Sequence, residues 1–155
     1  MRVRRYRAGE EETLRRLYAD STRIVNGPFY TGEQIERWVT RYDDPDGWVE
    51  RIRDRNPFVA ERDGVILGFA ELEPDGHIDF FYCHHAYQRQ GAGSALMRAI
   101  TEEADRLGLT RLHASVSAAA VKFFLAMGFQ IDETRDNLVC GHPARQYLMS
   151  RSQGD

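Results

Sequence analysis

Apolar residues recur along this chain with two periods, and each change of period marks an element. Val3 to Arg7 suits a short strand, after which Leu14, Leu17, Tyr18, Ser21, Ile24 and Val25 fall on one face of a helix. Asn26-Gly27-Pro28 breaks that helix. Thr31 with Gln34 forms a capping box that opens a second helix, whose inward face is Ile35, Trp38, Val39 and Tyr42. Asp44-Pro45 starts a third, short helical piece through Trp48 and Ile52. Phe58 to Arg62 and Val65 to Glu73 read as a hairpin about the Asp63-Gly64 turn, and Pro74-Asp75-Gly76 turns the chain into a strand from His77 to Cys83.

Leu96, Ile100, Ala104 and Leu107 then share one face of a helix that stops at Gly108. Leu112 to Val116 is strand-like and Ala118 to Met127 helical; Gln130 to Val139 and Arg145 to Ser150 form a closing hairpin around Gly141-His142-Pro143. The order β-α-α-β-β-β-α-β-α-β-β predicts an α+β, or mixed α/β, fold. With no linker, repeat or low-complexity segment, residues 1–155 are expected to form a single domain.

Composition narrows the partners. Basic and acidic residues number 21 and 24, a net charge of -3, which argues against a broad basic face for nucleic acid. The cluster Arg2, Arg4, Arg5, Arg7 reads as the solvated edge of the first strand. No apolar run approaches the roughly 18 residues of a membrane span, and the N-terminus lacks a signal peptide's apolar core, so a soluble, cytoplasmic protein is expected. Cys83 and Cys140 lack redox or metal spacing and are expected as reduced thiols. His84 and His85 are adjacent, but His77, His113 and His142 do not complete a ligand pattern, so no metal is expected.

The most informative stretch is Gln88-Arg89-Gln90-Gly91-Ala92-Gly93-Ser94, lying between an apolar strand and an amphipathic helix. The first turn of a helix carries N–H groups without intrahelical partners and the positive end of the dipole, so this junction suits a diphosphate. Gly91 and Gly93 leave room for phosphate oxygens near the main chain. The spacing misses G-x-G-x-x-G and the Gly-Lys-Ser/Thr ending of a P-loop.

These residues resemble the pyrophosphate loop of the GNAT N-acetyltransferases, Gln/Arg-x-x-Gly-x-Gly/Ala, with Gln88, Gly91 and Gly93 in its three defining places. A second motif of that family, Asn-x-x-Ala-x-x-Phe-Tyr-x-x-x-Gly-Phe, is similar to Ser117-x-x-Ala120-x-x-Phe123-Phe124-x-x-x-Gly128-Phe129. The chain departs from the family at Ser117, where Asn is usual, and at Phe124, where a Tyr is often proposed to protonate the departing thiolate. The resemblance implies a central mixed, mostly antiparallel twisted sheet of about seven strands flanked by helices. It also implies a cytoplasmic acetyl-CoA-dependent N-acetyltransferase, acting without metal on a small-molecule or peptide amine, as monomer or homodimer. The implied cofactor contacts are the main chain at Phe81, Tyr82 and Cys83, the loop Gln88, Arg89, Gln90, Gly91, Ala92, Gly93 and Ser94, and Ser117, Ala120, Phe123 and Phe124. A catalytically silent acyl-CoA-binding or regulatory module is the alternative, and an adenine-nucleotide binder using the same loop a third reading.

Chemistry selects further residues. An amine with a lysine-like pKa of roughly 10 is mostly protonated at neutral pH, so transfer to it needs a base. Side chains of a strand alternate, so His77, Asp79, Phe81 and Cys83 are expected on one face and Ile78, Phe80 and Tyr82 on the other. By resemblance the base is Asp79 or His77, and the Cys83 N–H polarises the thioester carbonyl and holds the oxyanion. No neighbouring sequence favours Cys83 as a nucleophile. Tyr82, Tyr147 or water could replace the missing acid at Phe124. Phe29 and Tyr30, in a loop of the helical region that covers the acceptor pocket in the family, are the acceptor-contact candidates.

Overall fold

A computed structural model describes residues 1–139 and 142–153, so Cys140 and Gly141 lie outside the described residues, while His142 and Pro143, expected in the closing turn with Gly141, begin the last strand instead. Strand β1 (Arg2–Arg5) leads through helices α1 (Glu11–Asn26), α2 (Gly32–Thr40) and α3 (Pro45–Arg55) into strands β2 (Phe58–Arg62), β3 (Val65–Leu72) and β4 (Ile78–Cys83). Helix α4 (Ala92–Arg106), strand β5 (Arg111–Ser117), helix α5 (Val121–Ala126) and strands β6 (Gln130–Val139) and β7 (His142–Ser152) follow. The fold is mixed α/β, as the sequence predicts. Among the described residues no helix is long and apolar enough to cross a membrane.

Local chemistry accounts for the helix starts. At α2 both halves of the Thr31/Gln34 capping box are present, and at α3 Asp44 accepts from the Gly47 N–H, with Pro45 in the first turn. The expected helix over 118–127 is shorter: Ala118–Ala120 is a 3-10 turn, and α5 begins at Val121.

The seven strands lie in two antiparallel sheets, β1-β2-β3-β4 and β5-β7-β6. Just before β4, one isolated parallel bridge joins its lead-in to β5, His77 to His113, where the His113 N–H donates to the Gly76 carbonyl over 3.0 Å. Glycine is required at that junction. Its φ is +94°, and a Cβ there would stand 2.2 Å from the Arg111 carbonyl oxygen. Beyond this contact the two strands diverge, and the gap between them holds the site.

The first sheet is covered on both faces. Leu14, Leu17 and Tyr18 of α1 and Trp48 and Ile52 of α3 pack with Val59, Phe69 and Phe80; Leu96, Met97, Ile100 and Ala104 of α4 pack with Leu67, Ala70 and Ile78. The simple alternation expected along β4 fails. Ala70 pairs with Phe81 and Leu72 with Ile78, so Glu71 alone opposes both Asp79 and Phe80. This bulge turns Asp79 to the side of Phe80: both meet Arg51 of α3, the carboxylate at 2.7 Å and the ring beneath the guanidinium at 3.8 Å. Ile78 and Phe81 join the α4 side instead.

Candidate active site

A cavity of about 490 Å³ opens where β4 and β5 separate. Its walls come from α1 (Ser21, Val25, Asn26), the end of β4 (Phe81, Tyr82, Cys83), the loop into α4 (Gln88, Arg89 and Gly91 to Ser94) and the segment after β5 (Ser117, Ala120, Phe123, Phe124), with Tyr87, Ala119 and Lys122.

The hydrogen-bond register fixes which way the main chain of β4 faces. The His84 N–H donates to the Leu67 carbonyl over 2.7 Å, one residue beyond the Gly68–Cys83 pair. Cys83 is therefore in a non-hydrogen-bonded pair with β3, and so, two residues back, is Phe81 opposite Ala70. Their N–H and C=O groups point away from β3, toward the gap. Consistent with this, the Cys83 carbonyl accepts from the Ser21 hydroxyl at 2.8 Å and from the Gln88 amide at 3.1 Å. The second bond ties the loop back to the strand.

At the far end of these groups α4 begins. The Ala95 N–H is bonded to the Gly91 carbonyl at 3.0 Å, so the N–H groups of Ala92, Gly93 and Ser94 precede the first intrahelical partner. Gly91 caps the helix with φ +93°, which an L residue rarely adopts, and a Cβ there would meet nothing within 4 Å. A side chain would project into open space beside the amides. Arg89 is also left-handed, with φ +62°. Gln90 lies outside the lining and accepts a hydrogen bond from Arg62 of β2.

Burial governs the nearby titratable groups. It pushes the Cys83 thiol up to about 11, so at neutral pH the sulfur is a thiol and a poor nucleophile. The Tyr82 hydroxyl is also raised by burial, with Tyr42 and the negative Asp79 opposing its ionisation further. It remains a donor throughout the physiological range.

Asp79 and His77 do not line the cavity. Asp79 bonds Arg51 at 2.7 Å and stands 3.4 Å from Arg55; His77 bonds Glu73 at 2.7 Å and lies against His113. Arg51 also binds Glu71 at 2.5 Å, and Glu71 is 1% exposed. Burial raises Glu71, with the Arg51 hydrogen bond acting against it. Phe29 and Tyr30 are likewise outside the lining: Phe29 is exposed, while the Tyr30 hydroxyl accepts from the Ala118 N–H at 2.8 Å and donates to the Arg145 carbonyl at 2.9 Å. Tyr30 thus clips the α1–α2 loop to the strands past the gap.

Phe124 is 3% exposed, packed against Phe129 and Phe81 with ring centres 5.0 and 5.6 Å apart, and still borders the cavity. Core and cavity wall are one position here. The sequence reading missed Ser21, Val25, Asn26, Tyr87, Ala119 and Lys122 as lining. Ser21 and Val25 stood on the inward face of α1, and that face could have drawn attention to them.

A divided sheet whose gap ends at an uncovered helix N-terminus offers main-chain groups to an extended, anionic ligand, and the comparisons give the family. The acetyltransferase (GNAT) domain model matches residues 27–140, and the chain belongs to that family. It is similar to an uncharacterized N-acetyltransferase of Escherichia coli (strain K12), YafP: 24% identity over 130 residues, 84% of this chain and 81% of that protein. Among solved structures, a GCN5-related N-acetyltransferase from Rhodopseudomonas palustris matches with a TM-score of 0.92 at 26% identity, over 97% of this chain and 94% of that one. The PaiA N-acetyltransferase of Thermoplasma acidophilum, solved in complex with coenzyme A, matches with a TM-score of 0.77 at 17% identity, over 97% and 98%; at that identity the likeness shows the fold.

Proposed function

We propose that this protein transfers an acetyl group from acetyl-CoA directly to a primary amine. The observation that carries the reading is the alignment of the Phe81 and Cys83 main chain with the uncovered N-terminus of α4 along one cavity. Coenzyme A in the related structure from Thermoplasma acidophilum supports the choice of cosubstrate.

Acetyl-CoA supplies a thioester activated toward amines. The Ala92, Gly93 and Ser94 amides hold the diphosphate, Gln88 anchors the loop to β4, and Arg89 and Gln90 flank it. Phe81 and Cys83 pair through their main chain with the amide-bearing arm beside Tyr82, whose own main chain is bonded to β3, against a wall of Ser117, Ala120, Phe123 and Phe124. The Cys83 N–H stabilises charge developing on the carbonyl oxygen, and the thiol takes no covalent part. The amine's proton passes to Asp79, with His77 as the alternative acceptor; since both lie outside the cavity lining, water carries it, past Tyr82, whose hydroxyl lies in the field of Asp79. Phe29 and Tyr30 border the acceptor's entry.

The test combines binding and turnover. Acetyl-CoA at a hundredfold excess over Kd should stabilise the fold by about 2.7 kcal/mol, seen as a thermal shift. Gly91→Val should abolish most of that shift, because its side chain fills the space beside the loop amides. CoA release over a panel of amines should identify an acceptor. Asp79→Asn should then lower kcat/KM roughly 10²-fold with acetyl-CoA affinity nearly constant. Tight binding without release for any amine would favour a silent acyl-CoA module, and an unchanged shift in Gly91→Val would remove the loop from the site.

A further inference from the structure

Asn26, the last residue of α1, lines the cavity and is 5% exposed, and its Oδ1 is buried without a hydrogen-bond partner. The turn that follows fixes its place, the Phe29 N–H donating to the Asn26 carbonyl over 3.0 Å. A buried side-chain carbonyl ordinarily has a partner, because leaving it unpaired is costly. Its neighbours on the same wall have no such need: the Ser21 hydroxyl already donates to the Cys83 carbonyl at 2.8 Å, and Val25 is apolar. The Asn26 oxygen also lies across the sheet from the diphosphate amides. Phe81, Cys83, Phe123 and Phe124 pack on the α4 side, whereas Tyr82 packs on the α1 side, its ring centre 5.0 Å from that of Tyr18. A molecule approaching the thioester from the α1 side therefore passes between Tyr82 and Asn26.

Charge bears on what that molecule is. Among the described residues no carboxylate lines the cavity, and its full charges, Arg89 and Lys122, are both positive. Burial raises the Tyr82 hydroxyl and the Cys83 thiol, so both are neutral at physiological pH. Asp79 stands outside the lining, its charge answered by Arg51 at 2.7 Å and Arg55 at 3.4 Å. An ammonium here would be a desolvated cation without a counter-ion. A neutral amine fits better: it donates an N–H to the Asn26 oxygen and keeps its lone pair for the thioester carbon. The proton it loses during transfer still leaves by the water route toward Asp79.

We propose that Asn26 Oδ1 receives an N–H of the acceptor amine, and that the protein selects weakly basic amines, of the kind a peptide α-amine presents, over alkylamines and polyamines. This rests on the transfer reading above and names its acceptor class. The experiment is acetyl transfer by the wild type, Asn26→Leu and Asn26→Asp to glycylglycine amide, n-butylamine and 1,4-diaminobutane from pH 7 to 10, with acetyl-CoA affinity measured in parallel. An α-amine titrates near 7.7 to 8.0 and a lysine-like amine near 10.4, so their free-base fractions at pH 7 differ by about two orders of magnitude. The wild type should favour the peptide amide in kcat/KM by about tenfold or more at pH 7, and the gap should close toward pH 10. Asn26→Leu should raise the amine KM by about tenfold, the scale of one hydrogen bond to a buried group, with acetyl-CoA affinity unchanged. Asn26→Asp supplies the missing counter-ion and should move the preference toward the diamine, which keeps the idea testable if the leucine variant does not fold. A wild type that prefers the diamine at pH 7, or an Asn26→Leu variant that leaves the amine KM unchanged or weakens acetyl-CoA equally, would overturn the assignment while leaving the transfer reading in place. Turnover of no amine by a protein that binds acetyl-CoA would overturn both together.

Discussion

The ring of Phe123 occupies the space that any side chain at position 93 would need, its Cε1 and Cζ lying 2.9 and 3.0 Å from a Cβ built on Gly93. Helix α5 is seated on α4 through that missing side chain, and the same ring tilts against Phe81 at 5.3 Å. Gly93→Ala should therefore push Phe123 toward the cavity. A loss of about 1 to 3 kcal/mol, the usual range for overpacking, is expected in urea unfolding, together with weaker acetyl-CoA binding by calorimetry. Intact binding would mean that the ring relaxes away from the site.

Cys83 gives a clean separation of side chain from main chain. With its thiol pushed up to about 11, the thiolate is scarce at pH 7 to 8 and grows only as pH approaches that value. Cys83→Ala should retain turnover within a few-fold, because the N–H belongs to the backbone. An inactive but folded variant, judged by an unchanged acetyl-CoA thermal shift, would point to covalent chemistry at the sulfur.

Phe124→Tyr adds an oxygen to a ring that borders both core and cavity. If its para carbon faces the sulfur, kcat should rise, most at low pH, where the reaction depends most on an acid. If it faces Phe129, the hydroxyl is left unpaired, at a cost of about 1 to 3 kcal/mol, and kcat should not change. The rate profile and the melting temperature, measured on one preparation, separate these outcomes.

Arg51 joins Glu71 to Asp79 across the bulge, at 2.5 and 2.7 Å. Arg51→Met should destabilise by about 3 to 5 kcal/mol at neutral pH, because Glu71 is left as a buried charge without its partner. The pH dependence has a definite sign. Burial raises Glu71 in the folded state, so the native form holds its proton more tightly than the unfolded chain. The stability this group contributes is complete below its unfolded value and is lost as pH rises through the folded one. Removing Arg51 takes away the opposing effect, so the variant should recover part of its deficit on acidification from pH 7 toward 5, in denaturant melts. A deficit independent of pH would mean that Glu71 is not carrying charge there.

Much of this fold was written in local patterns. The Thr31/Gln34 box, the Asp44-Pro45 start and the strand-to-helix loop at Gly91 each depend on neighbouring residues, and each forms as its sequence suggests. Asp79 shows where such reading stops. Alternation assumed one residue for one along β4, but the bulge is set by the register of β3, through Glu71, and no local pattern in His77 to Cys83 records it. Arg51 was equally hidden, since a charge on a helix such as α3 ordinarily faces solvent. Lys122 stands at no defining position of a motif, and the elements joined by Phe123 are what bring it to the cavity.

Because β5 and the lead-in to β4 share a single bridge at His77 and His113, the protein's two sheets are a seam left unstitched over the length of the cavity. A ligand that pairs with the Phe81 and Cys83 main chain would act as an inserted strand. Its binding free energy would then double as cohesion between the halves of the molecule. Occupancy should slow amide exchange well away from the loop, along β5 and β7, and the apo protein should yield first at this seam when it is pulled or heated.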